Sequence, residues 1–183
     1  MSGSRLGPEW VPGPDGLLSR HAARVILLDP SGRVLLVRGH DADEPERSWW
    51  FTVGGGLEPG ESPRAAAVRE TAEETGLELR PEQLEGPVLT RSAIFDFFRV
   101  TCRQEEQFFL ARLAGGTATE LSDAGWTAGE REVLDEMRWW DVAELEAELA
   151  GGAVVYPSNL PALVRSLLTG WDGSCAHLGE VEE

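Results

Sequence analysis

The sequence predicts an α/β or α+β layered domain, on three observations. Strand-like runs rich in β-branched and aromatic residues are mixed with helical stretches at unequal spacing. At 183 residues and 42% hydrophobic content the chain has the size and apolar fraction of one globular domain with a real core. No internal repeat or low-complexity block points to a solenoid or a disordered array.

Residues 1–19 are rich in Gly and Pro and read as an N-terminal arm or an ordered edge, and residues 20–170 form the domain. The polar residues 171–183 are expected to be a mobile C-terminal tail. Within the domain, Ala23–Leu28 and Arg33–Val37 read as a hairpin about the turn Asp29-Pro30-Ser31-Gly32. A charged loop, Gly39–Ser48, leads to an aromatic strand, Trp49–Val53, and then to Gly54-Gly55-Gly56. A helix is predicted from Glu61 to Thr75, with Ser62 as its cap, Pro63 at the first helical position and an alanine-rich interior. Gly76 supplies the left-handed residue that ends it. Val88–Val100, Glu106–Leu113 and Met137–Trp140 read as strands, and Val142–Leu149 and Pro157–Leu168 as helices. A Gly/Ser/Asp-rich loop spans Ala114–Gly129.

Composition excludes several functions. A net charge of −16 repels polynucleotides and anionic membranes, so neither long nucleic acid nor membrane is an expected partner. No apolar run reaches the ~20 residues that span a bilayer, and the N-terminus lacks a signal-peptide pattern, which predicts a cytoplasmic protein. All 16 basic residues are arginine. That removes Schiff-base, general-base and phosphate-loop lysines, and leaves phosphate contacts to arginine or a metal. Cys102 and Cys175 match no metal-ligand spacing. His21, His40 and His177 are too scattered to suggest a metal site or a triad.

The chemistry concentrates in Gly55–Leu77, GGLEPGESPRAAAVRETAEETGL. Its glycines let backbone approach a ligand closely. Glu70, Glu73 and Glu74 then fall on one helical face, where like charges repel unless a cation offsets them. Arg69 offsets part of this through Glu73. Clustered carboxylates are hard ligands suited to Mg²⁺ or Mn²⁺, and Mg²⁺ is commonly shared with substrate phosphates.

The segment resembles the Nudix box: Gly, five residues, Glu, seven residues, Arg-Glu, an aliphatic, any residue, Glu-Glu, any residue, Gly and an aliphatic. Gly55, Glu61, Arg69, Glu70, Glu73, Glu74, Gly76 and Leu77 match it. Chance agreement is on the order of 10⁻⁸ per start position. Thr71 departs from the pattern, with a hydroxyl able to bond back to the preceding turn where the family has an aliphatic residue. Val53 stands where the family often has proline.

The resemblance implies an α/β/α sandwich around a mixed β-sheet. It also implies divalent-metal-dependent hydrolysis of a diphosphate linkage in a nucleoside diphosphate derivative, with water attacking phosphorus. By position it implies Glu70, Glu73, Glu74 and the Gly55 carbonyl as metal ligands, with Glu70 and Glu73 also counted as catalytic. Arg69 and Glu61 are implied as orienting residues. The general base is expected in the loop before the Trp139 strand, with Glu132 and Glu130 as candidates and Glu120, Glu105 and Glu106 below them. A homodimer is consistent with the resemblance.

Substrate-binding residues are not assigned. Trp49, Trp50 and Trp126 adjoin loops, Phe95, Phe97 and Phe109 read as core, and Arg38, Arg47 and Arg91 are phosphate candidates. Two other readings share this fold. One is a sensor that binds a nucleotide or nucleotide sugar without turnover, although such modules usually lose box carboxylates. The other is an isopentenyl diphosphate isomerase, which needs a suitably placed cysteine.

Overall fold

The computed structural model describes residues 6–97, 100–115 and 120–182, with only the backbone of Phe97. In chain order the elements are β1 (Val11–Pro12), β2 (Leu18–Leu28), β3 (Val34–His40), β4 (Ser48–Gly56), α1 (Pro63–Thr75), β5 (Leu84–Phe97) and β6 (Val100–Arg112). There follow α2 (Glu130–Val133), β7 (Leu134–Trp140), α3 (Val142–Ala150), β8 (Val155–Tyr156), α4 (Leu160–Leu168) and β9 (Ala176–Glu182). The strands form one mixed sheet in the order β7-β3-β4-β2-β6-β5-β9, with β1 beside β2 and β8 beside β4.

The period-2 pattern of β2 divides the core between the two faces of this sheet. Ala23, Val25 and Leu27 pack with Ala66 and Ala67 of α1, whose small side chains let the helix lie close to the strands. Ile26 and Leu28 point the other way, into a cluster that includes Val142 and Leu145 of α3 and Leu160, Val164 and Leu167 of α4. The result is an α/β/α sandwich. Trp140 meets Trp50 edge to face at 5.0 Å within the second cluster, so Trp50 is core.

The Asp29–Gly32 turn forms, with Gly32 at φ 81°. The hairpin beyond it does not: β2 and β3 pair only at Leu28–Val34. β4 enters between them, antiparallel to both, because β2 and β3 each have further edge to pair and β4 satisfies both at once. On its other edge β2 runs parallel to β6, in unbroken register from Leu18–Cys102 to Leu28–Arg112.

The N-terminal residues take the ordered-edge alternative, and the C-terminal ones are more ordered than their composition predicts. In the expected arm, Leu6 and Trp10 are buried against Cys102, and β1 pairs with β2; residues 1–5 lie outside the described region. In the expected mobile tail, Ala176–Glu182 forms β9, parallel to β5. Backbone pairing, not side-chain burial, holds this largely exposed strand, and Arg103 links it to the arm by contacting both Glu180 and Asp15 at 2.7 and 2.6 Å. Deleting residues 174–183 is therefore expected to speed amide exchange at Leu89–Ile94, the β5 positions that β9 covers, and to lower the melting temperature. Hydrogen-exchange mass spectrometry checks this; unchanged protection at those amides would contradict it.

Candidate active site

α1 carries the acidic face, and its ends are fixed by features the sequence displays. Ser62 accepts from the Ala65 amide at 3.2 Å, and Gly76 closes the helix at φ 72°. The Thr71 hydroxyl donates to the Ala67 carbonyl at 2.7 Å, so this departure from the box is satisfied inside the helix. The loop after β6 seals the last turn. Trp126 donates its indole N–H to the Glu74 carbonyl at 2.8 Å, and the Ser122 amide donates to the Thr75 carbonyl at 2.9 Å. A Cβ on Gly125 would lie 2.1 Å from the Glu73 carbonyl, so only glycine permits this approach. Trp126 is thus a packing residue.

This docking brings Glu130 to the helix. One carboxylate oxygen from each of Glu70, Glu74 and Glu130 lies within 4.8 Å of the others. Glu74 is wholly buried and accepts from the Gly54 amide at 2.8 Å. Burial pushes its pKa up to about 8, against the pull of that hydrogen bond and of Arg24. Burial also raises Glu70, with Arg69 pulling it partly back. The backbone of Gly55 lies directly against Glu70; an added Cβ would sit 2.7 Å from that carboxylate. Three converging hard oxygens, two of them costly to ionise without a counter-charge, fit a divalent cation.

Glu73 is placed differently. Its side chain is half exposed and pairs with Arg69 at 2.9 Å, outside the convergent trio. Arg69 also binds Glu61 and Glu70, both at 2.8 Å, and donates to the Gly56 carbonyl at 3.1 Å. It ties the glycine loop to the helix, and these partners hold its own proton more tightly than usual. Glu132 and Glu120 are exposed and neither lines the cavity, whereas Glu130 does. Glu105 lies on the other face of β6, accepting from Ser92 at 2.8 Å.

Above the trio opens a cavity of about 630 Å³. Trp49, Phe51 and Tyr156 line one side, with Trp49 and Tyr156 6.3 Å apart. The floor comes from the ends of β2, β5 and β6, where Glu106 is buried between two arginines. Arg24 Nε reaches it at 2.9 Å and Arg91 at 2.5 Å. Burial opposes the Glu106 charge, but the two guanidiniums outweigh it and hold its pKa below the ordinary value. Arg24 also donates to the Gly54 carbonyl at 2.5 Å, so one residue braces the loop whose amide serves Glu74.

Of the sequence candidates for phosphate, Arg91 and Arg47 line the cavity; Arg38 does not and pairs with Glu136. Phe95 lines the cavity and packs on Trp10, while Phe109 is core. The Phe97 side chain lies outside the described residues. Arg20 and Arg24 escaped the sequence reading. Their signal was the i, i+4 spacing within a strand, which places both on one face. Cys102 is fully buried in the arm cluster, and neither cysteine lines the cavity, which leaves the isomerase chemistry without the cysteine it needs.

Fold and site together define an α/β/α domain in which a cluster of carboxylates able to hold a cation, two of them on α1 beside the glycine loop, faces an arginine-floored cavity. The NUDIX domain model matches residues 18–158, and the chain belongs to that family. It is 40% identical over 60 residues to the uncharacterized Nudix hydrolase YvcI of Bacillus subtilis, covering 33% of this chain and 35% of that protein. It is 32% identical over 136 residues to an RNA pyrophosphohydrolase of Roseobacter denitrificans, covering 69% of this chain and 79% of that protein. The chain spans 35%, 61% and 34% of the lengths of the first three curated relatives it matches. Among solved structures, a C. elegans Ap4A hydrolase binary complex shares the fold at TM-score 0.56 and 21% identity, over 83% of this chain and 99% of that one. No described helix is long and apolar enough to cross a membrane.

The raised pKa of Glu74 sets a pH dependence for the cation-free protein. The folded state holds a proton that the unfolded chain gives up near 4.5, so stability falls as pH rises from about 4.5 and levels off above about 8. Thermal melts in chelator are expected to show this decline. Mg²⁺ at pH 8 should reverse it and Glu74→Gln should make it shallower, Glu70 keeping a part of the same sign; a profile unaffected by either would contradict the assignment.

Proposed function

We infer that this chain is a divalent-metal-dependent pyrophosphohydrolase acting on a nucleoside diphosphate derivative. The observation that carries the reading is the convergence of Glu70, Glu74 and Glu130 beneath an arginine-floored cavity. Carboxylates gather a cation, and the neighbouring guanidiniums receive an anion. The family membership and the relatives' names are in keeping with it.

Glu70, Glu74 and Glu130 would hold Mg²⁺ or Mn²⁺, with the Gly55 backbone directly beside Glu70. When bound, such an ion neutralises charge on diphosphate oxygens and acidifies water. The chain supplies the rest. Glu130, the least buried of the three, is the carboxylate best placed to pass a proton to solvent, and of the two leading sequence candidates, Glu132 and Glu130, it is the one we assign to the general-base role. Arg69 fixes the positions of Glu70 and the glycine loop. Arg24 and Arg91 set a positive floor for phosphate, and Trp49 and Tyr156 offer faces for a base. Glu73 is assigned to holding Arg69.

The test is cleavage of a panel of nucleoside diphosphate derivatives, nucleoside triphosphates and dinucleoside polyphosphates, read by chromatography as the two phosphorylated fragments (or pyrophosphate), with Mg²⁺ or Mn²⁺ and then with chelator. Cleavage of at least one compound, abolished by chelation, is the expected result. Tight binding with no cleavage of any would favour the non-catalytic sensor. Glu74→Gln is expected to cut kcat by about 10²-fold or more, since it removes a ligand to the charge-stabilising ion. Glu73→Gln should cost about tenfold or less, as an orienting residue does. Equal losses in the two variants would contradict the division of roles.

A further inference from the structure

One wall of the cavity comes from the N-terminal arm, at the turn Gly7–Trp10. Trp10 N donates to the Gly7 carbonyl at 3.2 Å, and Leu6 and Trp10 anchor the turn in a buried cluster on either side of Glu9. Pro8 and Glu9 themselves line the cavity. The Glu9 side chain folds back onto Gly7, where a Cβ would lie 2.2 Å from its carboxylate. It then reaches Arg20 Nη1 at 3.4 Å.

Arg20 is held on its other sides. Its Nε donates to Gln104 Oε1 at 2.6 Å, and its guanidinium lies 4.4 Å over the Trp10 ring. It also abuts the glycine loop, since a Cβ on Gly56 would be 3.3 Å from Arg20 Nη1. Arg20 is thus a fixed cation at the edge of the metal-site loop, facing the cavity. The floor carboxylate, Glu106, serves Arg24 and Arg91 at 2.5–2.9 Å in full burial. Glu9, by contrast, meets Arg20 at the limit of hydrogen-bond length with its side chain 28% exposed. The first arrangement is built to stay; the second is built to be exchanged.

We propose that Arg20 is a phosphate subsite of the cavity and that Glu9 occupies it in the free protein as an intramolecular stand-in, which a phosphate of the substrate displaces. This rests on the hydrolase reading for the identity of the ligand as a diphosphate compound. A phosphate brings more negative charge and more acceptor oxygens than a single carboxylate, and it gains the Arg20 donor that Glu9 reaches only weakly. Releasing Glu9 into solvent costs little, because a partly exposed ion pair contributes little. The arm then acts as a selectivity element. Ligands that place a phosphate at Arg20 displace Glu9, and ligands that do not must enter against it.

The experiment measures binding, not turnover. Imidodiphosphate, whose bridging nitrogen resists hydrolysis, is titrated calorimetrically with Mg²⁺ into the full chain, Glu9→Gln, Arg20→Gln and the double variant. Thermal melts confirm that each is folded. Glu9→Gln is expected to tighten binding about two- to fivefold. Arg20→Gln should weaken it about tenfold, and Glu9→Gln should add nothing in the Arg20→Gln background. Unchanged or weaker binding in Glu9→Gln overturns the proposal, as does a gain that persists without Arg20, which would be a general effect of removing one negative charge. Failure of the unaltered protein to bind also overturns it. The expected binding pattern in a protein that cleaves nothing would sustain the subsite and sink the hydrolase instead.

Discussion

A carboxylate removed almost wholly from water must be neutralised, protonated or well bonded, and Glu74 receives one backbone N–H, from Gly54 at 2.8 Å. Much of the surrounding structure bears on that one group. Gly54 adopts φ 132° and passes so close to β2 that a Cβ would lie 2.1 Å from the Ala23 carbonyl. Arg24 grips the Gly54 carbonyl, and Glu106 grips Arg24. On the far side, Trp126 caps the Glu74 carbonyl and so fixes the loop that delivers Glu130. The incomplete compensation of Glu74 is what would give a cation its hold. A fully satisfied carboxylate there would have less to gain from a metal.

This chain of support explains which parts of the molecule could be read in the sequence. α1 was legible because its cap, its proline, its alanines and its terminal glycine are local signals that tertiary contacts did not override. Glu70 and Glu74 were legible because their spacing was. Glu130 could not be separated from Glu132 in the same way. Both stand in one polar loop, and only the docking of Trp126 and Gly125 onto α1 decides which carboxylate turns inward.

The remaining differences are non-local. A turn such as Asp29–Gly32 predicts that two strands follow one another, not that a third will enter between them. β9 has the composition of a tail because an edge strand held by backbone pairing needs no apolar side chains. Arg24 looked like part of an ordinary strand, and Arg20 lay outside the strand expected at Ala23–Leu28. Their role depends on lying beside Gln104 and Glu106, more than eighty positions away, in the parallel register with β6.

That register has a further consequence. Along one face of β2 and β6 the side chains change character midway: Arg20 and Arg24 give way to Ile26 and Leu28, and Gln104 and Glu106 to Phe108 and Leu110. The same two rods serve as cavity floor at one end and hydrophobic core at the other, with no joint between. The floor cannot soften before the core strands do. Heat should disorder the cavity floor and the core in a single step, and a core substitution that shifts either rod would be felt at the cavity even from the opposite end of the molecule.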